Sequence, residues 1–284
     1  MGLFSGIQGF LGEHRYNRAG YRDFNWTERG AANSTRVAVL GDSRVFGLYV
    51  DSEETISARL SRNEGFEALN FGVTGAGTFE ALDYIVDDAL LTHPDAAVLL
   101  FDINPSVLSL APASEWSRRN TAAQVFRGSA LFRRGEMLLL HAKQGRKGRR
   151  PSVPEAEYLN QYRAVIDALL DGGTSKVVLL IGVTALEHRS GIFERQRYDR
   201  YRELARQAAR DRQVEVIEVE ALLSDMNTEN AYRGIGIHWS PEAIKRIAGA
   251  LSEHLIQSGA TLEAPPRQPA AENQVTSGPD ENQP

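Results

Sequence analysis

The chain has 284 residues, 42% of them apolar and 24% charged, with a formal net charge of −5. That length supports a sizeable core, and the negative balance argues against general nucleic-acid affinity. It contains no cysteine and six histidines. Disulfides, thiol nucleophiles and thiolate metal sites are therefore excluded, and the histidine spacing predicts neither a metal nor a cofactor.

No stretch approaches the roughly 18 apolar residues of a membrane span, and the start of the chain does not read as a secretory signal. A soluble, cytoplasmic protein is expected. Residues 1–35 read as an extension in which Leu3, Phe4, Ile7, Phe10 and Leu11 fall at helical spacing. From Arg36 the pattern alternates between strands and helices. Apolar, β-branched runs predict strands at Val37–Leu40, Ala68–Phe71, Ala96–Phe101, Val177–Ile181 and Val214–Ile217. Helices are predicted near Glu53–Arg62, Phe79–Leu91, Glu155–Leu170, Phe193–Arg212 and Pro241–Ile256. The last has a clear start, with Ser240 as N-cap, Pro241 in the first turn and Glu242 at the positive dipole end. The alternation predicts an α/β domain over 36–260, a three-layer α/β/α sandwich around a parallel, flavodoxin-like sheet of about five strands.

Two segments break this rhythm. Residues 117–150 carry ten Lys/Arg against one acid, Glu136. They read either as a solvated basic loop or as a contact for an anionic ligand or an acidic membrane surface. Residues 261–284 are rich in Pro, Gln, Asn and Glu and are expected to be disordered.

Four short blocks carry the chemistry. The first strand runs into Gly41-Asp42-Ser43, which delivers a serine to the sheet edge where α/β folds bind ligands. Asp42 is expected to cap turn amides rather than act as an acid, and Gly47 to let the following helix pack closely. The second strand runs into Asn70-Phe-Gly-Val-Thr-Gly75, which offers the Gly75 N–H beside the first strand's end. Asn104 follows the third strand, and its amide can donate to an oxyanion. His238 stands immediately before the final helix, where it can reach the first strand's serine and act as general base. Capping asparagines and solvated histidines are common, so none of these blocks decides the matter alone.

In this order the four blocks resemble the SGNH hydrolases, also called the GDSL family, across roughly Arg36 to Leu255. The opening Asn17-Arg-Ala-Gly-Tyr-Arg22 is also similar to the lead-in of some bacterial members. The resemblance implies a Ser43 nucleophile, a His238 base, and an oxyanion hole made by the Ser43 and Gly75 N–H groups and the Asn104 side chain. It implies an esterase acting through an acyl-enzyme on a small-molecule or glycan ester, with a small acyl or O-acetyl group favoured.

Two blocks depart from the family pattern. Gly-x-Asn-Asp appears as Asp102-Ile-Asn104-Pro105, and Asp-x-x-His as Ile235-Gly-Ile-His238. The family's orienting aspartate is thus an isoleucine. A backbone carbonyl, or a carboxylate such as Asp225, Glu220 or Asp102, is expected to hold the imidazole instead. Acyl transfer from the same site, and a catalytically weak binding or scaffold protein, remain alternatives.

Overall fold

The computed structural model describes residues 16–17, 19–23, 34–63, 65–106, 108–109, 150–185, 195–233 and 236–258. The N-terminal helical pattern at 3–11, the basic segment as far as 149, Ile235 and the tail from 261 lie outside the described residues.

Five parallel strands form one sheet: β1 (Thr35–Gly41), β2 (Phe66–Gly72), β3 (Ala96–Leu100), β4 (Lys176–Ile181) and β5 (Glu215–Glu218). Their order is β2-β1-β3-β4-β5, the flavodoxin-like arrangement. The three central strands are apolar on both faces because helices cover both. Ala38, Leu40, Ala97, Leu99, Val177 and Leu179 face one core, while Val37, Val39, Val98, Leu100, Val178 and Leu180 face the other.

The first core is closed by α3 (78–90), α4 (Glu155–Asp171) and α5 (Arg195–Arg212); a π-helical turn, Ala81–Ile85, interrupts α3. The second is closed by α2 (Ile56–Ser61) and α6 (Pro241–Gln257). On α6 the residues Ala243, Ile244, Ile247, Ala248, Leu251 and Leu255 are buried, at the spacing of one helical face. Each buried Ile or Leu contributes about 1.5–3 kcal/mol. Among the described residues, no helix is long and apolar enough to cross a membrane.

The strands and helices form within one or two residues of where apolar periodicity predicts them, with one larger shortening; the first two residues of the helix expected at Phe193–Arg212 lie outside the described residues. The helix expected at Glu53–Arg62 begins at Ile56, because Ser52–Glu54 is a 3₁₀ turn and Thr55 caps the helix by accepting from the Ala58 N–H at 3.2 Å. The Asn17–Asp23 stretch packs on the domain. Asn17 closes it by accepting from the Tyr21 N–H, the Tyr21 hydroxyl donates to Asp88, and Asp23 accepts from the Asn70 N–H on edge strand β2.

Ser240 starts α6 by accepting from the Ala243 N–H at 3.1 Å. Because it sits two residues after His238, it also fixes where the loop before the helix ends. Ser240→Ala is expected to lower stability by about 1 kcal/mol, read as a lower midpoint in urea with an unchanged slope.

Candidate functional site

Strand β1 ends at Gly41, and Asp42 leaves it in extended conformation to cap the four-residue helix α1 (Ser43–Phe46), which is numbered first by its place in the chain. The Asp42 carboxylate accepts from the Arg44 N–H at 2.8 Å, the capping role expected from sequence. Ser43 therefore opens a helix at the C-terminal edge of the sheet. His238 comes from the other end of the domain, on a short hairpin in which His238–Trp239 pairs with Tyr232–Arg233. The fold brings these two together: Ser43 Oγ lies 2.9 Å from His238 Nε2. Both residues are buried, at 8% and 7% exposure.

Burial, and then the nearby Arg44 guanidinium, push the His238 pKa down to about 4. The imidazole is thus neutral at pH 7 and able to accept a proton. The productive tautomer has hydrogen on Nδ1, leaving Nε2 to accept from the serine hydroxyl. Nδ1, however, is buried and has no hydrogen-bond partner among the described residues. The three carboxylates considered as substitutes are engaged elsewhere. Asp102 accepts from Arg44 and the Gly182 N–H, Glu220 from Arg202, and Asp225 from Arg246. No backbone carbonyl among the described residues takes that place either. The expectation of a replacement hydrogen bond is therefore not met among the described residues, because each of these three acids is already paired with an arginine.

The candidate oxyanion donors also stand at strand ends. Beyond β2, a turn closed by the Ala76 N–H donating to Val73 O at 3.0 Å holds Gly75 at φ +82°, a backbone region open to glycine. No acceptor for the Gly75 N–H is found among the described residues. Asn104 begins a 3₁₀ turn after β3, and its Nδ2 donates to Ala76 O at 2.8 Å. The amide thus ties the third strand's end to the glycine turn and keeps one N–H for another acceptor. Asn104 is partly a brace here as well as a candidate donor.

Sequence reasoning missed the charge cluster beneath the serine. The Arg44 side chain is fully buried and bonds both Asp42, at 2.6 Å, and Asp102. It also lies 5.4 Å from the centre of the Trp239 ring. Burial opposes its charge, but Asp102 and then Asp42 hold its pKa well above the ordinary value. Gly182, just past β4, completes the cluster through its N–H to Asp102 at 2.6 Å. A Cβ there would lie 2.1 Å from Arg44 Nη1, so only glycine admits this packing. A hint lay in Asp102 itself, a charge placed directly after an apolar strand and so in need of a buried partner.

Removing one member of a buried ion cluster leaves uncompensated charge. Arg44→Met is therefore expected to cost about 3–5 kcal/mol in urea denaturation. Adding Asp42→Asn and Asp102→Asn to it should restore much of that loss.

No curated protein matches the chain. Solved structures do, at low identity. The lipase/acylhydrolase from Enterococcus faecalis superposes with a TM-score of 0.54 at 16% identity, covering 78% of this chain and 96% of that one. An acetyl xylan esterase, AlAXEase, gives 0.52 at 18%, covering 78% and 99%. A catalytic mutant of Axe2, an acetylxylan esterase from Geobacillus stearothermophilus, gives 0.51 at 14%, covering 84% and 100%. These likenesses establish a shared fold. The model of the GDSL-like lipase/acylhydrolase family matches residues 39–246, which hold the serine, the glycine turn, the asparagine and the histidine. The chain belongs to the GDSL-like lipase/acylhydrolase family and is, by that membership, an SGNH-type esterase.

Proposed function

We propose that the protein hydrolyses a small acyl or O-acetyl ester through an acyl-enzyme on Ser43. The observation that carries this reading is the 2.9 Å contact between Ser43 Oγ and a neutral, buried His238 Nε2. Serine is a weak nucleophile until a positioned base takes its proton. Ser43 Oγ attacks the ester carbonyl as its proton passes to His238 Nε2. The tetrahedral oxyanion is received by the Ser43 and Gly75 N–H groups and the remaining Asn104 N–H. His238 then returns the proton to the departing alkoxide and activates the water that cleaves the acyl-enzyme. The acetyl preference is supported by the acetylxylan esterases among proteins of the same fold. A glycan ester is equally compatible with that support.

Two results test the reading. Turnover of p-nitrophenyl acetate should fall about 10³-fold or more in Ser43→Ala; equal rates for wild type and variant overturn it. The acid limb of kcat/KM reports the free enzyme's base. Protonation inactivates His238, so this limb should fall near pH 4 rather than 6.5.

A carboxylate three residues before His238 would give the Nδ1–H an acceptor and stabilise the imidazolium. Ile235→Asp is accordingly expected to raise kcat by about tenfold or more. It should also move the acid limb to higher pH, because a neighbouring anion favours the protonated ring. A pH–rate comparison with wild type reads both effects.

A further inference from the structure

One structural oddity lies against the catalytic pair and is not accounted for by it. Tyr49 has φ +74°, a left-handed backbone that bulky residues rarely adopt and that stores strain. Its ring faces the His238 imidazole, with centroids 4.9 Å apart and planes at 58°. Strained residues persist only when their surroundings over-determine them, and here the surroundings are visible. The buried guanidinium of Arg22 donates to three carbonyls of the loop that carries Tyr49. Nη1 reaches Phe46 O at 3.1 Å and Gly47 O, and Nη2 reaches Val50 O at 2.5 Å. The same guanidinium lies 5.3 Å from the centre of the Phe46 ring. These carbonyls close the end of helix α1, where a cation is favoured. Arg22 is itself fixed by the turn that begins at Asn17.

We propose that Arg22 and Tyr49 are positioning residues: Arg22 pins the 46–50 loop, and Tyr49 on that loop braces an imidazole whose Nδ1 has no hydrogen-bond partner among the described residues. This rests on the reading of His238 as the base. Among the described residues, Ser43 and Tyr49 contact the His238 ring and the Arg44 charge acts on it. Nε2 is held by Ser43 Oγ, but Nδ1 has no hydrogen-bond partner among the described residues, so on that side packing limits rotation of the ring. A ring wall fixes the imidazole plane but not its tautomer, so it replaces only the orienting half of the aspartate's work. The opening motif that shares the family's lead-in thereby gains a role, reaching the catalytic histidine through the loop it grips.

The strain makes the test selective. Glycine is unstrained at φ +74°, so Tyr49→Gly relieves backbone strain while deleting the brace. Its kcat for p-nitrophenyl acetate should fall about tenfold or more, as expected for a displaced catalytic group, with KM within about twofold. The NMR titration of His238 should move up towards 6.5 as the ring gains solvent. Tyr49→Phe keeps the ring and should retain wild-type kcat and titration. Arg22→Lys keeps the charge but loses the fork, and should lower kcat in the same direction without raising KM. Unchanged kcat and unchanged His238 titration in Tyr49→Gly overturn the proposal, even if turnover still depends on Ser43. If wild type shows no Ser43-dependent turnover, the esterase reading fails, while the His238 titrations of Tyr49→Gly and Tyr49→Phe still decide whether Tyr49 holds the ring.

Discussion

The buried union of Asp42, Arg44 and Asp102 is the constraint on which the site depends. Asp42 follows β1, Asp102 follows β3, and Gly182, whose N–H binds Asp102, follows β4. Those are the three adjacent central strands of the sheet. One guanidinium therefore ties together the C-terminal edge on which Ser43 stands. Such clusters rarely add stability over well-packed apolar residues, since each charge gives up its hydration. Their value lies in direction, because the hydrogen bonds accept few geometries. Ser43 lies between two members of the cluster in sequence, so its backbone cannot shift without breaking charge-assisted bonds on both sides.

The same cluster sets the electrostatics above it. Burial, and then the charged guanidinium of Arg44, disfavour a positive charge on the His238 imidazole. The imidazole is thus neutral across ordinary pH at the expense of basicity, which would weaken proton abstraction by the proposed base. An orienting carboxylate would offset that effect by stabilising the imidazolium. With none against Nδ1 among the described residues, His238 is a weakly basic imidazole, largely buried and in contact with an aromatic ring. In the proposed mechanism compensation comes from the oxyanion donors, where negative charge develops as the imidazole gains its proton.

Most of the fold was legible in sequence. The strands at Val37–Leu40 and Val177–Ile181 are continuous apolar runs, as a doubly covered parallel sheet requires, and Ser240-Pro241-Glu242 marks its helix start. The pairing of Ser43 with His238 was legible because topology restricts which strand ends and loops meet. Arg44 was not, since an arginine after a serine reads as a surface residue until Asp102 and Gly182 are seen in space. Tyr49 escaped for a related reason. Nothing in its neighbours' identities announces a left-handed tyrosine, because the cause lies in an arginine 27 positions earlier. The role of Asn104 was only half visible, since its bond to the Ala76 carbonyl depends on a turn conformation that sequence does not specify.

The serine and the histidine are separated by 195 positions in the chain and are held at opposite ends of the domain's connectivity. Ser43 is carried by the first strand, whereas His238 depends on the hairpin and on the seating of α6 against the second core. Sub-global opening of that final helix would withdraw His238 while leaving the strand that carries Ser43 intact. The chemistry is therefore conditional on the whole α/β unit being closed at once. A nascent or nicked chain that had built only its first four strands would present an exposed serine with no means of using it.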